Sequence, residues 1–381
     1  MFERSLHLPA VPKKTFFLWG PRKSGKSTLL KSLYPQAHWL NLLKTDEYIQ
    51  YLERPYLLRE RLLANPQRLV VIDEVQKIPA LLDEVHWLIE NTPTVFVLCG
   101  SSARKVKRGH ANLLGGRALR HELFGLVSEE IGLQFDLVRL LNTGYIPSHY
   151  LSDNPREEIF SYVNDYLKEE IAAEGLVQNL PTFSDFLRAA SLSDTEIINY
   201  SNIARECGVS MTASKAYFQI LVDTLLGHFV PAYTRRQKRR VILAPKFYHA
   251  DVGIVNYLAK RGNLESGSEL FGKAFENWVF HELLAESCYH QHHHEISYWR
   301  LAGGTEVDFI INDFDCAIEV KASSRISNHH LRGLRELSKD HRVKKRVIVS
   351  LEPQSRKTAD QIDILSVDDF RHRLWGQKLL V

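Results

Sequence analysis

The chain has little of what marks a special environment. It holds four cysteines in 381 residues, Cys99, Cys207, Cys288 and Cys316, too few and too scattered for a disulfide framework. None forms a CxxC pair, which argues against a structural zinc site. The longest apolar runs, near 69–72 and 95–99, are strand-sized and far short of a membrane span. Residues 1–10 carry Glu3 and no long apolar stretch, so no signal peptide is expected and the expected location is cytoplasmic. Neither sign of charge dominates: 49 Lys and Arg against 45 Asp and Glu leave +4. That excludes a histone-like binder, and any nucleic-acid surface must come from local clustering. No internal repeat is present. What is there is ordinary globular material, 44% hydrophobic and 25% charged, which excludes a disordered or low-complexity chain. Eighteen Phe, fifteen Tyr and six Trp supply more than one core. At roughly 150 residues per domain the length suggests two or three domains.

The expected fold class is α/β in three parts: an N-terminal α/β unit with a parallel sheet over 1–145, a helical and winged-helix-like segment over 146–245, and a second α/β unit over 246–381. In the first third, apolar runs at 15–19, 37–42, 69–72, 94–99 and 118–126 read as strands, with helices over 27–33 and 80–90. Strands separated by helices and apolar throughout argue for a parallel sheet buried on both faces. The middle third reads as helices over 157–173, 183–190, 201–206 and 211–226, the last two joined by a turn at 207–210 in a helix-turn-helix layout. A basic run follows, Arg235, Arg236, Lys238, Arg239 and Arg240, before a strand-like 241–243. The last third reads as a helix over 270–284, strands over 296–300, 306–311, 316–321 and 346–349, and a helix over 329–337.

Gly20-Pro21-Arg22-Lys23-Ser24-Gly25-Lys26-Ser27 matches GxxxxGK[ST], after a strand and at a helix start, where a phosphate loop belongs. The glycines let backbone N–H groups curl around phosphates, and the helix N-terminus, with Thr28 in its first turn, adds partial positive charge. Lys26 is expected to reach the β- and γ-phosphates of ATP and Ser27 to give an oxygen to Mg²⁺. The strand at 69–72 ends in Asp73 and Glu74. Asp73 would hold the Mg²⁺ shell and Glu74 would polarise the attacking water as general base. The bland alternative is two solvated acids at a strand end. Gly100-Ser101-Ser102 ends the next strand with hydroxyls, and Ser101 is placed to sense the γ-phosphate.

The loop, Asp73-Glu74-Val75-Gln76, the segment Cys99 to Lys105, and Asn112-Leu113-Leu114-Gly115-Gly116-Arg117-Ala118 together resemble one AAA-type ATPase family of bacteria and archaea. Its members carry a C-terminal domain of unknown function, which Lys246 to Gly253, Lys273 to Asn277 and Glu306-Val307-Asp308 resemble. The resemblance covers roughly residues 15–349 and implies ATP binding and hydrolysis. Many AAA proteins place Asn where Ser101 and Ser102 stand. Arg117 and Arg120 follow the sensor strand, where AAA rings place an Arg that reaches a neighbour's γ-phosphate. For Arg117 that role requires a homo-oligomer; the plain alternative is a surface pair with Glu122 or Glu129.

In the C-terminal hairpin, a four-residue turn at 312–315 pairs Ile311 with Cys316 and sets Asp308 opposite Glu319. Lys321 lies two residues on, hence on the same face. The other face, Val307, Phe309, Ile311, Cys316, Ile318 and Val320, is apolar. This D-x₁₀-E-x-K pattern resembles the PD-(D/E)xK nuclease-like fold, in which Asp308 and Glu319 would bind Mg²⁺, Lys321 would orient water at a phosphodiester, and Glu276 would be the helix acid. The departure is Val307 where that fold has Pro. The alternative is a solvated hairpin with Glu306 paired to Lys321. Three consecutive histidines cannot all face one ion on a regular element, so His290, His292, His293 and His294 read as a solvated loop. Three functions follow: an ATP-driven enzyme on DNA, a nucleotide-gated binding switch with an inactive tail, or a signalling ATPase that touches no nucleic acid.

Overall fold

The computed structural model describes residues 2–102, 114–167, 179–234 and 243–380. The chain forms two compact units, residues 1–125 with 223–226, and 126–222 with 227–381. The first unit runs β1 (Phe16–Trp19), α1 (Lys26–Leu33), β2 (His38–Asn41), α2 (Thr45–Glu53), α3 (Leu57–Ala64), β3 (Leu69–Asp73), α4 (Leu81–Asn91), β4 (Val95–Gly100) and β5 (Leu119–Glu122). The sheet order is β2-β3-β4-β1-β5, and every pairing is parallel. Val70, Val71, Ile72, Phe96, Val97 and Leu98 are fully buried, as strands covered on both faces must be. This arrangement brings the C-terminal ends of β1, β3 and β4 side by side, the edge where open α/β sheets bind ligands. The fifth strand is shorter than the apolar run that announces it, because the chain leaves the sheet at Leu123. Helices α2 and α3 escape a reading by periodicity because they bury little: Tyr51 in the first, Leu58 and Leu62 in the second.

The second unit begins with α5 (Ser128–Ile131), α6 (Leu137–Thr143), α7 (Pro147–Leu151), α8 (Pro155–Ser161), α9 (Leu180–Leu192), α10 (Tyr200–Glu206) and α11 (Met211–Asp223). A π-helical turn, Tyr162–Leu167, follows α8; the rest of the helix expected to 173 lies outside the described residues. Asn199 caps α10 by accepting from the Asn202 N–H at 3.1 Å, and Ser210 caps α11 through the Ala213 N–H at 3.1 Å, as short polar side chains do. The helix pair leads into β6 (Gly227–Val230), which pairs antiparallel with β7 (Lys246–His249). Of the strand expected at 241–243, Leu243 is in no strand and 241–242 lie outside the described residues, as does the basic run from Arg235 to Arg240; β7, after Pro245, was not expected.

The remainder is α12 (Val252–Leu258), α13 (Glu269–Tyr289), β8 (Ile296–Arg300), β9 (Glu306–Ile311), β10 (Cys316–Lys321), α14 (Arg332–Asp340), β11 (Lys345–Ser350), β12 (Arg356–Lys357), β13 (Ile362–Leu365) and α15 (Val367–Trp375). Its six-stranded sheet is ordered β12-β13-β11-β10-β9-β8. The hairpins β8-β9 and β9-β10 are antiparallel, while β10-β11 and β11-β13 are parallel crossovers. Helix α13 is buried along most of its length, including Phe275, Trp278, Val279 and Leu283, and it carries two of the acidic groups that matter below. Among the described residues no helix is long and apolar enough to cross a membrane.

Candidate functional site

In the first unit, the loop between β1 and α1 is shaped by two glycines. A Cβ on Gly20 would come within 2.3 Å of the Leu123 carbonyl oxygen, so only glycine fits there. Gly25 is the N-cap of α1 with φ 95°, a left-handed conformation that glycine adopts without penalty. With no capping side chain, the first N–H groups of α1 stay open to an anion. Lys26 is 6% exposed, and its ammonium donates to the carbonyls of Gly20 at 2.8 Å and Pro21 at 2.9 Å. Among the described residues no carboxylate pairs with it. Ser27 Oγ donates to Asp73 Oδ2 at 2.9 Å, and Asp73 Oδ1 is buried without a hydrogen bond. A buried carboxylate oxygen with no partner is costly, and a hydroxyl and carboxylate side by side form a donor set suited to Mg²⁺. The residues present therefore fit a Mg²⁺-bound triphosphate: Lys26 and the α1 N-terminus on the phosphates, Ser27 and Asp73 on the ion.

Glu74 follows directly in a left-handed conformation, φ 61° and ψ 44°. That turn lets Gln76 Nε2 donate both to Glu74 Oε2 and, at 3.0 Å, to Ser101 Oγ. Gln76 thereby joins the ends of β3 and β4. Beyond its place in the Asp73–Gln76 segment, Gln76 carries no site signal of its own in the sequence, because a Gln two positions after an acidic pair has no distinctive spacing. Arg4 carries none either. Its guanidinium donates to the Ser24 carbonyl and, at 2.7 Å and 3.2 Å, to the carbonyls of Phe124 and Gly125, pinning the loop from a segment with no motif. Arg22, Lys23 and Thr28 are exposed at the loop. Arg117 pairs with Glu90 on α4, not with Glu122 or Glu129 as the surface alternative had it.

In the second unit, the β9-β10 ladder has the expected register, Ile311 with Cys316, Ile310 with Ala317 and Phe309 with Ile318. At the next position Asp308 Oδ2 accepts the Val320 N–H at 2.8 Å, so the side chain replaces a ladder bond. On its other side β9 meets β8 with a shift: Ser297 pairs with Ile310 but Trp299 with Val307. Asp308 and Phe309 together oppose Tyr298, which is a β-bulge. The bulge breaks the alternation that the sequence pattern assumes. Val307 joins Ile310, Ala317, Leu334 and Leu337 in one core, while Phe309 packs against Tyr248 and Phe280, ring centroids 5.7 Å and 6.1 Å away. The hairpin is not solvated either, since Asp308 and Glu319 are each only 6% exposed.

The acids are compensated by lysines. Lys246, from β7 and itself 3% exposed, lies 3.0 Å from Glu276 Oε1 and 3.6 Å from Asp308 Oδ1, and also pairs with Glu306. Tyr248 donates to Glu276 Oε1 at 2.6 Å. Lys321 pairs with Glu319, and Glu306 pairs with Arg300, not with Lys321. Sequence reading had not assigned Lys246 and Tyr248 to this centre, because β7 lies far from the hairpin in sequence. Burial pushes the Glu319 carboxyl up to about 8, with Asp308 adding to it. Burial likewise pushes Glu276 up to about 7, against the pull of Lys246. For Lys246 burial alone would lower the ammonium, but Glu276, Tyr248, Asp308 and Glu306 outweigh it and carry it well above its ordinary value. Four carboxylates thus face Lys246, Lys321 and the rim Arg300, and the acids outnumber the cations. Glu319 Oε2 is buried without a hydrogen bond, so Asp308 and Glu319 also fit a divalent cation.

Other residues of the same sequence segments hold structure. Asp251 caps α12 through the Ile254 N–H at 3.0 Å and also accepts from Tyr145 and Ile146. Asn277 donates to Asp194 and to the His249 carbonyl.

Residues 12–132 match the model of an AAA domain. This match supports an AAA-type ATPase domain at the first site. Residues 134–265 and 271–370 match two domains of unknown function, DUF8612 and DUF4143, the second containing Glu276, Asp308, Glu319 and Lys321. No curated protein matches the chain. Among solved structures it is similar to the Aeropyrum pernix ORC1 protein in complex with DNA, with a TM-score of 0.28 and 11% identity, covering 65% of this chain and 86% of that one. A TM-score that low supports no argument about this AAA domain.

Proposed function

We propose that the chain is a Mg²⁺-dependent, ATP-hydrolysing AAA-type enzyme that acts on DNA. The observation that carries the ATPase part is the pairing of a buried ammonium whose partners among the described residues are carbonyls with a buried carboxylate oxygen that makes no hydrogen bond. Each is costly alone, and a Mg²⁺-bound triphosphate satisfies both. The ion, when bound, neutralises charge on the β- and γ-phosphates. Lys26 binds the phosphates, Glu74 takes the proton of the attacking water, and Gln76 holds Glu74 in place. Ser101, tied to Gln76, senses the γ-phosphate. Arg117 acts on a neighbour's nucleotide, which makes a homo-oligomer part of the proposal.

For DNA, the support is the helix pair α10–α11 followed by the β6-β7 sheet, which we take as a winged helix, with the basic run Arg235 to Arg240 in the connection between its strands. Asp308, Glu319, Lys321 and Glu276 we take as a PD-(D/E)xK-like centre in which Asp308 and Glu319 hold Mg²⁺ and Lys321 orients water. One observation favours the alternative of an inactive tail in a nucleotide-gated switch. The Lys246 ammonium already stands among Glu276, Glu306 and Asp308, where it serves the acids as a tethered cation.

The deciding experiment measures ATP turnover with and without DNA, and DNA cleavage in Mg²⁺ and Mn²⁺, on wild type, Asp308→Ala and Glu319→Ala. DNA-stimulated turnover supports action on DNA. Cleavage lost in both variants, with turnover intact, supports a nuclease. No cleavage in any sample, with altered DNA binding in the variants, supports the switch. Turnover indifferent to DNA, with no DNA binding, removes action on DNA and leaves a signalling ATPase that touches no nucleic acid.

A further inference from the structure

We propose that Glu286, His290 and His292 form a binding site for one divalent transition-metal ion, Zn²⁺ by its ligand chemistry. The site is independent of the two centres above. Glu286 lies ten residues beyond Glu276 on α13, about 15 Å along the helix axis at 1.5 Å per residue.

The local chain builds it. Glu286 and His290 are four residues apart and share a helix face. Gln291 then takes a left-handed conformation, φ 58°, and turns the chain back over the end of α13. The turn is clasped on Ser287: the His292 N–H donates to the Ser287 carbonyl at 2.9 Å, and the His294 N–H to Ser287 Oγ at 2.8 Å. The result brings His292 back over Glu286. The histidines do not act as a run; His290 and His292 converge while His293 is left out.

The three side chains offer ligand atoms that all lie within 4.8 Å of one another. Glu286 Oε1 is 3.3 Å from His290 Nδ1 and 3.6 Å from His292 Nε2. Ligands roughly 2.0–2.1 Å from a tetrahedral Zn²⁺ stand about 3.3 Å apart, which the two Glu–His separations approach; His290 Nδ1, also 3.2 Å from the Glu286 carbonyl oxygen, must give up that contact and its proton to ligate. Glu286 is 2% exposed, and its Oε2 makes no hydrogen bond. A buried carboxylate in that state calls for a cation. Trp375 walls the site, its ring centroid 6.0 Å from that of His290. The His294 ring stacks on His292 at 5.2 Å and steadies it. His292 is exposed, which gives the ion an entry path and leaves a fourth position to water. Two imidazoles and one carboxylate suit Zn²⁺, Ni²⁺ or Cu²⁺, while Mg²⁺ prefers an all-oxygen shell.

The test uses the full chain freed of metal with EDTA and dialysed. Zn²⁺ is titrated calorimetrically into wild type, His292→Ala and Glu286→Gln, and Co²⁺ is followed by its visible absorption. His292 is exposed, so its variant keeps the fold. The expected result, with millimolar Mg²⁺ present throughout to occupy the all-oxygen sites, is one Zn²⁺ per wild-type chain. Affinity should fall more than about 100-fold in both variants, since even outer-shell partners are worth 10–100-fold. The Co²⁺ bands should disappear in both variants. Zn²⁺ affinity unchanged in His292→Ala, or no Zn²⁺ uptake by wild type, would overturn the site and leave an ordinary Glu–His ion pair.

Discussion

The phosphate loop and the acid–lysine centre are built from the same parts, used in opposite ways. Each places a buried carboxylate at a strand with one oxygen unbonded, Asp73 in the first and Glu319 in the second. Each also has a buried lysine. In the first, Lys26 is held by backbone carbonyls and has no carboxylate partner among the described residues, which on the proposed reading leaves its charge for a ligand. In the second, Lys246 already spends its charge on Glu276, Glu306 and Asp308. A site waiting for an anion leaves its cation uncompensated; a site crowded with acids must carry counter-ions to fold at all. The difference teaches where to expect ligand dependence. The loop should respond strongly to nucleotide, and the hairpin centre should respond to metal and pH.

The largest effect should come from Glu74→Gln, which keeps shape and removes the base. ATP turnover should fall by roughly 10²–10⁴-fold while ATP affinity stays, read by phosphate release and by nucleotide titration on one sample. Turnover at the wild-type rate would take the base role from Glu74. Next, Lys26→Ala should weaken ATP binding by about 10–100-fold, the range expected for charged hydrogen bonds of roughly 1.5–3 kcal/mol. Unchanged affinity would break the contrast on its first side.

The third prediction concerns pH in EDTA. Glu319 is pushed up to about 8 from an ordinary 4.5, so the folded chain holds a proton there that the unfolded chain has lost. Stability from this group is full below the ordinary value and falls as pH rises toward 8. Thermal unfolding should therefore show a Tm that declines from pH 6 to 8.5 and declines less in Glu319→Gln. Equal slopes would mean that Glu319 is not the buried acid described here. The smallest effect should be that of Arg4→Ala, a few-fold loss of nucleotide affinity, because Arg4 braces the loop through Ser24 and need not touch the ligand.

Much of this is legible in the amino-acid sequence. The phosphate loop, the acids after β3, and the register of β9 with β10 follow from local spacing, because a loop-helix motif and a four-residue turn are short-range devices. The bulge at Asp308 and Phe309 was not readable, since it depends on β8, a third strand that meets the hairpin with a shift. Nor was Lys246, whose place among the acids comes from the pairing of β7 with β6 and the packing of α13. Glu286 gave no signal because one partner, His292, reaches it only through the turn at Gln291. Such contacts belong to tertiary packing, and no periodicity encodes them.

The central claim is that Lys26, Ser27 and Asp73 together hold a Mg²⁺-bound triphosphate. The most direct measurement is ATP affinity in Mg²⁺ and in EDTA, for wild type and Asp73→Asn. The predicted result is a wild type that binds markedly tighter with Mg²⁺ and an Asp73→Asn variant whose affinity is weak and nearly the same in both. If Asp73→Asn gains as much from Mg²⁺ as wild type does, the ion is held elsewhere and the site as described is wrong.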